Sequence, residues 1–239
     1  RRHRRWVVDA IEQEADSVTT ITLRLIDPRS YAPHHFHFDP GQFAWLQARR
    51  SPFSLTYHPF SISTSAEHPH RIGFSIKAHE GFSREIADLA VGDVMYVDGP
   101  FGAFVLPESG PLVLIGAGVG VTPLLSMLET VADRGEDREC VLWLGNRDED
   151  SIACLDRIEA LQTRMRLRVV HVLSRPSGDW SGERGHIDAA FVERSLPHAS
   201  RAASFCICGP DAMMDQVESA LAGRGVLRDR IHSERFGMV

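Results

Sequence analysis

The apolar run Leu112-Val113-Leu114-Ile115 leads without a break into Gly116-Ala117-Gly118-Val119-Gly120-Val121-Thr122-Pro123. A short apolar run bounded by turn residues reads as a buried strand. Glycines in the turn after such a strand let the backbone approach a pyrophosphate, and the helix that follows aims its positive end at the phosphates. Thr122 is expected to cap that helix. Pro123 fits its first turn, where no intrahelical N–H is required. Gly116, Gly118, Gly120, Thr122 and Pro123 are therefore the first candidate ligand contacts. A glycine turn alone is a weak signal. Its position strengthens it, because it opens the second half of a 239-residue chain and a compact unit must precede it.

Beyond the turn, strand and helix candidates alternate. Leu112–Ile115, Cys140–Leu144, Leu167–Leu173 and Phe205–Cys208 read as strands, with helices at Thr122–Ala132, Ile152–Gln162, Ile187–Ser195 and Asp211–Ala222. That order implies a parallel sheet covered on both faces, with ligands beyond the carboxyl ends of its strands. Before the turn the chain is β-rich. Trp6-Val7-Val8 begins a strand, Val18–Leu25 alternates with period two, and short strands recur around Phe43, Phe60, Phe74 and Val94. Short strands with turns between them favour an antiparallel barrel or sandwich. One helix fits between Ser83 and Leu89. Pro107-Glu108-Ser109-Gly110-Pro111 breaks the pattern. The expected fold has two domains, an antiparallel β-barrel over 1–107 and an α/β parallel-sheet domain over 108–239.

Several function classes are disfavoured. A net charge of −6 argues against a nucleic-acid binder. Cys140, Cys154, Cys206 and Cys208 match neither zinc nor iron–sulfur spacing, so reduced thiols in a cytosolic setting are the default. Leu112 to Leu128 is too interrupted by Gly, Thr and Pro to cross a membrane. His34, His35 and His37 alternate with Phe36 and Phe38, which reads as aromatics inward and histidines outward; no metal site is expected. The chain opens on Arg1 without Met and is read as a fragment of a longer one. Arg1, Arg2, Arg4 and Arg5 fit either a solvated end or the cytosolic flank of a preceding membrane helix.

His58-Pro59-Phe60-Ser61, in a barrel ahead of a nucleotide domain, resembles the flavin motif of the ferredoxin–NADP reductase superfamily, Arg-x-Tyr-Ser/Thr. The His-Pro-Phe form is similar to the branch with NADPH oxidases and bacterial ferric reductase-like proteins. Pro40-Gly41-Gln42-Phe43, Gly81-Phe82-Ser83, Asp98-Gly99-Pro100-Phe101-Gly102, the glycine turn, Cys208-Gly209-Pro210 and Glu234-Arg235-Phe236 follow the same family's order. The resemblance implies an FAD-binding barrel and an NAD(P)H-binding second domain.

It also implies roles. Phe60 would lie against the isoalloxazine ring and Ser61 would hydrogen-bond near flavin N5. His58, in place of the usual arginine, would donate to a ribityl or phosphate oxygen, with Pro59 between them. Gly81, Phe82 and Ser83 would hold the flavin pyrophosphate, and Ile76 and Lys77 are counted with the cofactor contacts. Cys208 would sit beside nicotinamide C4, with Gly209 and Pro210 shaping its turn, and Cys206 would belong to the core. Phe236 would cover the flavin face that nicotinamide must reach. Ser61, Cys208 and Phe236 are thus the candidate catalytic residues. Arg147, Ser174 and Arg175 would meet a 2′-phosphate, favouring NADPH over NADH, although Asp148, Glu149 and Asp150 would repel one.

The function implied is hydride transfer from NAD(P)H to FAD, then single-electron delivery. The acceptor would be the haem of a membrane domain upstream of Arg1, with this soluble chain on the cytoplasmic face. The alternatives are a free-standing soluble reductase serving another protein or a ferric siderophore, and a non-catalytic flavin-binding regulatory module.

Overall fold

The computed structural model describes residues 4–15, 17–26, 36–48, 57–77, 88–196 and 202–235. Among them two six-stranded sheets follow one another. The first contains β1 (Arg4–Ala15), β2 (Val18–Leu25), β3 (Phe43–Ala48), β4 (His58–Ser61), β5 (Arg71–Lys77) and β6 (Val94–Phe101), in the order β4-β3-β6-β1-β2-β5. Every pairing in it is antiparallel. Alternate residues turn inward, so Trp6, Ile21, Leu23, Leu46, Ile72 and Phe74 form a sealed barrel core. Phe36 and Phe38 enter that core while His37 is exposed, which agrees with the expected alternation.

The second sheet holds β7 (Leu112–Ala117), β8 (Cys140–Asn146), β9 (Leu167–Leu173), β10 (Glu183–Arg184), β11 (Ser204–Cys208) and β12 (Ile231–Glu234), in the order β10-β9-β8-β7-β11-β12. All its pairings are parallel. Helices α1 (Val121–Asp133), α2 (Leu155–Arg164), α3 (Ala189–Ser195) and α4 (Asp211–Gly223) cover its faces. Leu112, Leu114, Leu142, Cys206 and Cys208 pack toward α1 and α2. Val113, Ile115, Trp143, Phe205 and Ile207 pack toward α3 and α4. Both faces are therefore buried, the reason β7 reads as a continuous apolar run.

Some boundaries differ from expectation. Helix α2 begins at Leu155, not Ile152, because Asp148 and Ser151 form a capping box around a short 3-10 turn and Cys154 then takes a left-handed φ of 58°. Helix α3 starts at Ala189, where Asp188 accepts from Phe191 N–H at 2.7 Å. Strands β10 and β12 were not anticipated. Arg4 and Arg5, expected in a basic end, pair in β1 with Val97 and Tyr96. The helix expected from Ser83 lies outside the described residues through 87. Between the sheets, Arg138 donates from Nε to Gly110 O (2.8 Å) and from Nη1 to Pro107 O (2.9 Å), pinning the Pro- and Gly-containing connection.

Candidate functional site

The carboxyl ends of β7 and β11 form a shelf of glycine backbone. Cys208 is in register with Gly116 on one side and with Glu234 of β12 on the other. Gly120 packs so closely on β11 that a Cβ there would collide with the Cys208 carbonyl oxygen and lie 2.8 Å from its carbonyl carbon. Gly209 is less confined, since a Cβ there would meet the flexible end of Met213 at 2.7 Å and stand 3.3 Å from Ala117 N. Gly118 is the opposite case. Its φ is +53° and a Cβ would meet nothing within 4 Å, so this point of the turn faces open space.

Thr122 does not cap α1. The helix starts one residue earlier, at Val121, with Gly120 as its N-cap, and Thr122 Oγ1 donates to Val119 O at 2.6 Å. Pro123 does lie in the first turn. No side chain caps α1 and no acid sits in its first turn. The open glycine, the uncapped positive helix end and the strand ends together fit a dinucleotide pyrophosphate.

Both Cys206 and Cys208 are fully buried on the α1 side of the sheet. Cys206 pairs with Leu114 in mid-sheet, whereas Cys208 ends its strand against the shelf. Burial, with a smaller contribution from Glu234, pushes the Cys208 thiol far up, and burial likewise raises the Glu234 carboxyl. Cys208 is thus a neutral thiol at neutral pH, suited to contact and orientation. Pro210 serves as N-cap of α4, accepting from Met213 and Met214 N–H.

On the barrel, β4 pairs with β3 so that His58 opposes Leu46, Phe60 opposes Ala44 and Ser61 opposes Phe43. Pro59 is exposed on this terminal strand, where its missing N–H does no harm. Phe60 is half-buried against the barrel core, and Ser61 is buried. The motifs quoted from the sequence meet here. Gln42 Nε2 donates to Gly102 O at 3.0 Å, Ile62 N donates to Gln42 O at 3.0 Å, and the Phe43 and Phe101 rings lie 6.0 Å apart. Rings with accessible surface beside a hydroxyl-bearing strand end fit a flavin. The Ile76 side chain is buried in the barrel core, while Lys77 is exposed at the strand end. Gly81, Phe82, Ser83, Phe236, His34 and His35 lie outside the described residues.

The ends of β8 and β9 run side by side, Ser174 N donating to Asn146 O (3.0 Å) and Arg175 N to Arg147 O (2.6 Å). Two of the neighbouring acids are already engaged. Asp148 Oδ2 accepts from Arg147 Nε at 2.7 Å, and this bond holds its carboxyl below the usual range. Glu149 accepts from the Ser177 hydroxyl and from Ser177 N at 3.1 Å, and is held low by the hydroxyl first. Arg175 is exposed, with no side-chain partner among the described residues.

Two features were missed in the sequence. Glu234 reaches Cys208 only through β12. A polar stripe on α1, Ser126, Glu129 and Thr130, docks on residues 64–66 directly after β4. Its i, i+3, i+4 spacing in an apolar helix was the available signal. A cavity of about 570 Å³ opens beside this contact between Thr20, Thr64, Glu129 and Arg157, away from the glycine shelf.

Comparison with known proteins agrees with this geometry. The family model described as "FAD-binding domain" matches residues 14–104, and "Oxidoreductase NAD-binding domain" matches residues 114–219. The chain is 29% identical over 240 residues to the reductase component of propane 2-monooxygenase from Rhodococcus jostii (strain RHA1), covering 96% of this chain and 62% of that protein. It is 29% identical over 211 residues to a flavohemoprotein of Oceanobacillus iheyensis, covering 84% and 52%. The chain thus spans less than two thirds of the length of these relatives. Among solved structures, Amycolatopsis cytochrome P450 reductase GcoB superposes with a TM-score of 0.83 at 28% identity, covering 98% of this chain and 70% of that one.

Proposed function

This chain belongs to the ferredoxin–NADP reductase superfamily, and from that premise we propose that it is an NADPH-preferring, FAD-dependent reductase delivering electrons to a haem partner. One observation carries the reading. Helix α1 starts at the glycine shelf and docks along its side on residues 64–66, immediately beyond the His58–Ser61 strand. The two candidate cofactor sites are thereby joined through one rigid element.

FAD, when bound, supplies the conversion from two-electron to one-electron chemistry. The chain's own residues bind and orient. Phe60 would pack against the flavin ring, Ser61 would offer it a hydroxyl, and His58 with Gly81, Phe82 and Ser83 would hold the ribityl and phosphate portion. Gly118 would admit the nucleotide pyrophosphate, with Gly116 and Gly120 letting the strand ends and α1 pack closely beneath it. Cys208, a neutral thiol beside Glu234, would set the nicotinamide plane, and Phe236 would cover the flavin face until nucleotide arrives. Positioning of this kind supplies the near-attack geometry, with reacting atoms about 3–3.5 Å apart.

For the acceptor we favour a haem-bearing membrane domain preceding Arg1, placing this chain at the cytoplasmic face, in line with the ferric reductase and NADPH oxidase branch of the sequence motif. No helix among the described residues is long and apolar enough to cross a membrane. A second reading, a soluble reductase serving a separate protein, is favoured by the relative whose own name is a monooxygenase reductase component.

Anaerobic mixing tests the core of the proposal. Protein loaded with FAD should lose the oxidised-flavin absorption band on adding NADPH and regain it with a one-electron acceptor. Retained flavin that neither NADPH nor NADH bleaches would leave a binding module instead. Arg175→Ala should lower the NADPH-to-NADH preference by roughly ten- to a hundredfold, since a charge-assisted contact contributes about 1.5–3 kcal/mol. Arg147→Ala should matter less, because Asp148 already holds that guanidinium. Equal rates with both nucleotides in the unmutated protein would refute the NADPH preference.

A further inference from the structure

The contact between barrel and parallel-sheet domain is built on a half-buried ion pair that no step above uses. Arg157 of α2 donates to Glu129 Oε1 of α1 from Nε (3.0 Å) and Nη2 (2.7 Å). The same Nη2 donates to Ser63 O of the barrel at 2.7 Å, and Nη1 lies 3.8 Å from the Glu14 carboxylate on β1. Glu129 uses its other oxygen to accept from Ser65 N–H at 3.1 Å. Three residues before Glu129, Ser126 Oγ donates to Thr64 O (2.7 Å), and on the residue after it Thr130 Oγ1 accepts from Ala66 N–H (3.0 Å). The Arg157 and Glu129 side chains are only 20% and 19% exposed. Burial opposes the Arg157 charge, but Glu129 and the acids around it more than offset this and hold the guanidinium protonated.

We propose that Arg157 and Glu129 are positioning residues for hydride transfer, locking α1 onto residues 63–66 and so fixing the glycine shelf relative to the flavin strand. This rests on the reductase reading above. The reasoning is one of leverage. Glu129 lies eight residues, about 12 Å, from the start of α1, so a swing of about 5° about this anchor moves the glycine end by about 1 Å. A 1 Å misplacement at the reacting atoms costs on the order of 10²-fold in rate. Apolar packing resists sliding weakly, whereas directed hydrogen bonds from a planar guanidinium define both distance and angle. Breaking such a pair leaves a half-buried charge with fewer partners, which loosens the contact.

The test uses the full chain with Arg157→Met, Arg157→Lys and Glu129→Gln, and reads two quantities. In cofactor-free protein, backbone amide exchange at Ser65 and Ala66 should accelerate at least tenfold in Arg157→Met, with β7 and β8 amides unchanged. In FAD-loaded protein, the flavin reduction rate at saturating nucleotide should fall ten- to a hundredfold. FAD content should hold and nucleotide affinity should stay within about threefold. Arg157→Lys should recover part of both, keeping the charge without the fork. Glu129→Gln should move in the same direction and serves if Arg157→Met does not fold. A full reduction rate in Arg157→Met, whatever its melting temperature, overturns the proposal. So do unchanged Ser65 and Ala66 amides. An unmutated protein that neither nucleotide reduces overturns the reductase reading instead, and the exchange measurement, which needs no cofactor, separates that failure from failure of the clamp.

Discussion

Gly120→Ala is expected to destabilise the parallel-sheet domain by about 3 kcal/mol or more, while Gly118→Ala leaves it folded and loses nucleotide. The two glycines lie two residues apart and differ in what surrounds them. At Gly120 the added methyl meets only backbone, namely the Cys208 carbonyl and, at 3.1 Å, Gly209 Cα. No rotamer change can relieve that, and the pairing of Cys208 with Gly116 prevents β11 from moving without parting from β7. A loss of this size should lower the melting temperature by roughly 6–12 °C in a chain of this length. At Gly118 the methyl meets nothing, and the cost is the left-handed conformation, about 1–2 kcal/mol. That methyl would, however, fill the space through which backbone approaches a pyrophosphate. Thermal melts paired with nucleotide titration check both, and the expected pattern is a crossover: large melting shift for Gly120→Ala, and at least tenfold weaker nucleotide binding for Gly118→Ala. Unchanged affinity in Gly118→Ala would mean that the phosphates sit elsewhere.

What could be read from residue order alone follows from how local each determinant is. The β7 strand and its glycine turn were legible because burial on both faces makes a strand uniformly apolar, and a tight turn demands glycine within a few residues. The shared direction of Cys206 and Cys208 followed from the period of two. By contrast, Ile231–Glu234 has little intrinsic strand signal. It is a strand because β11 offers it a free edge, and only then does Glu234 come into register with Cys208. The two-residue β10 is likewise made by its neighbour. Thr122 looked like a cap because hydroxyls favour that position, yet the 3-10 turn Gly118–Gly120 delivers the chain into helical geometry before Thr122 is reached. Arg157 was beyond reach for another reason. Its partners lie 28 and 94 positions away, and nothing in its neighbourhood distinguishes it from a solvated helix arginine.

Alkaline pH is expected to unfold this protein unusually early, through its thiols. Burial pushes Cys140 and Cys154 up to about 11 and Cys206 to about 12, from an ordinary value of 9.0, and pushes Cys208 higher still. The sign follows from proton counting. Above pH 9 the unfolded chain releases these protons while the folded chain keeps them, so the native state binds more protons and stability falls as pH rises. Below pH 9 both states hold them and the thiols contribute no slope. Each thiol adds about 1.4 kcal/mol per pH unit between its unfolded and folded values. Four together give roughly 5 kcal/mol per unit, against a total stability of about 5–15 kcal/mol for a typical protein. Urea midpoints should therefore stay level from pH 7 to 8.5 and collapse between pH 9 and 11. Other groups also titrate there, so the decisive measurement is a difference. Cys206→Ala should lose stability at pH 7 through its cavity, yet show an alkaline slope about 1.4 kcal/mol per unit shallower, because one sealed proton is gone. Cys208→Ala should flatten the slope in the same way, which would show directly that the thiol at the glycine shelf is held neutral by the fold. An unchanged slope in both variants would mean that the folded chain ionises these thiols as readily as the unfolded one. The claim that the fold seals the Cys208 proton would then fall.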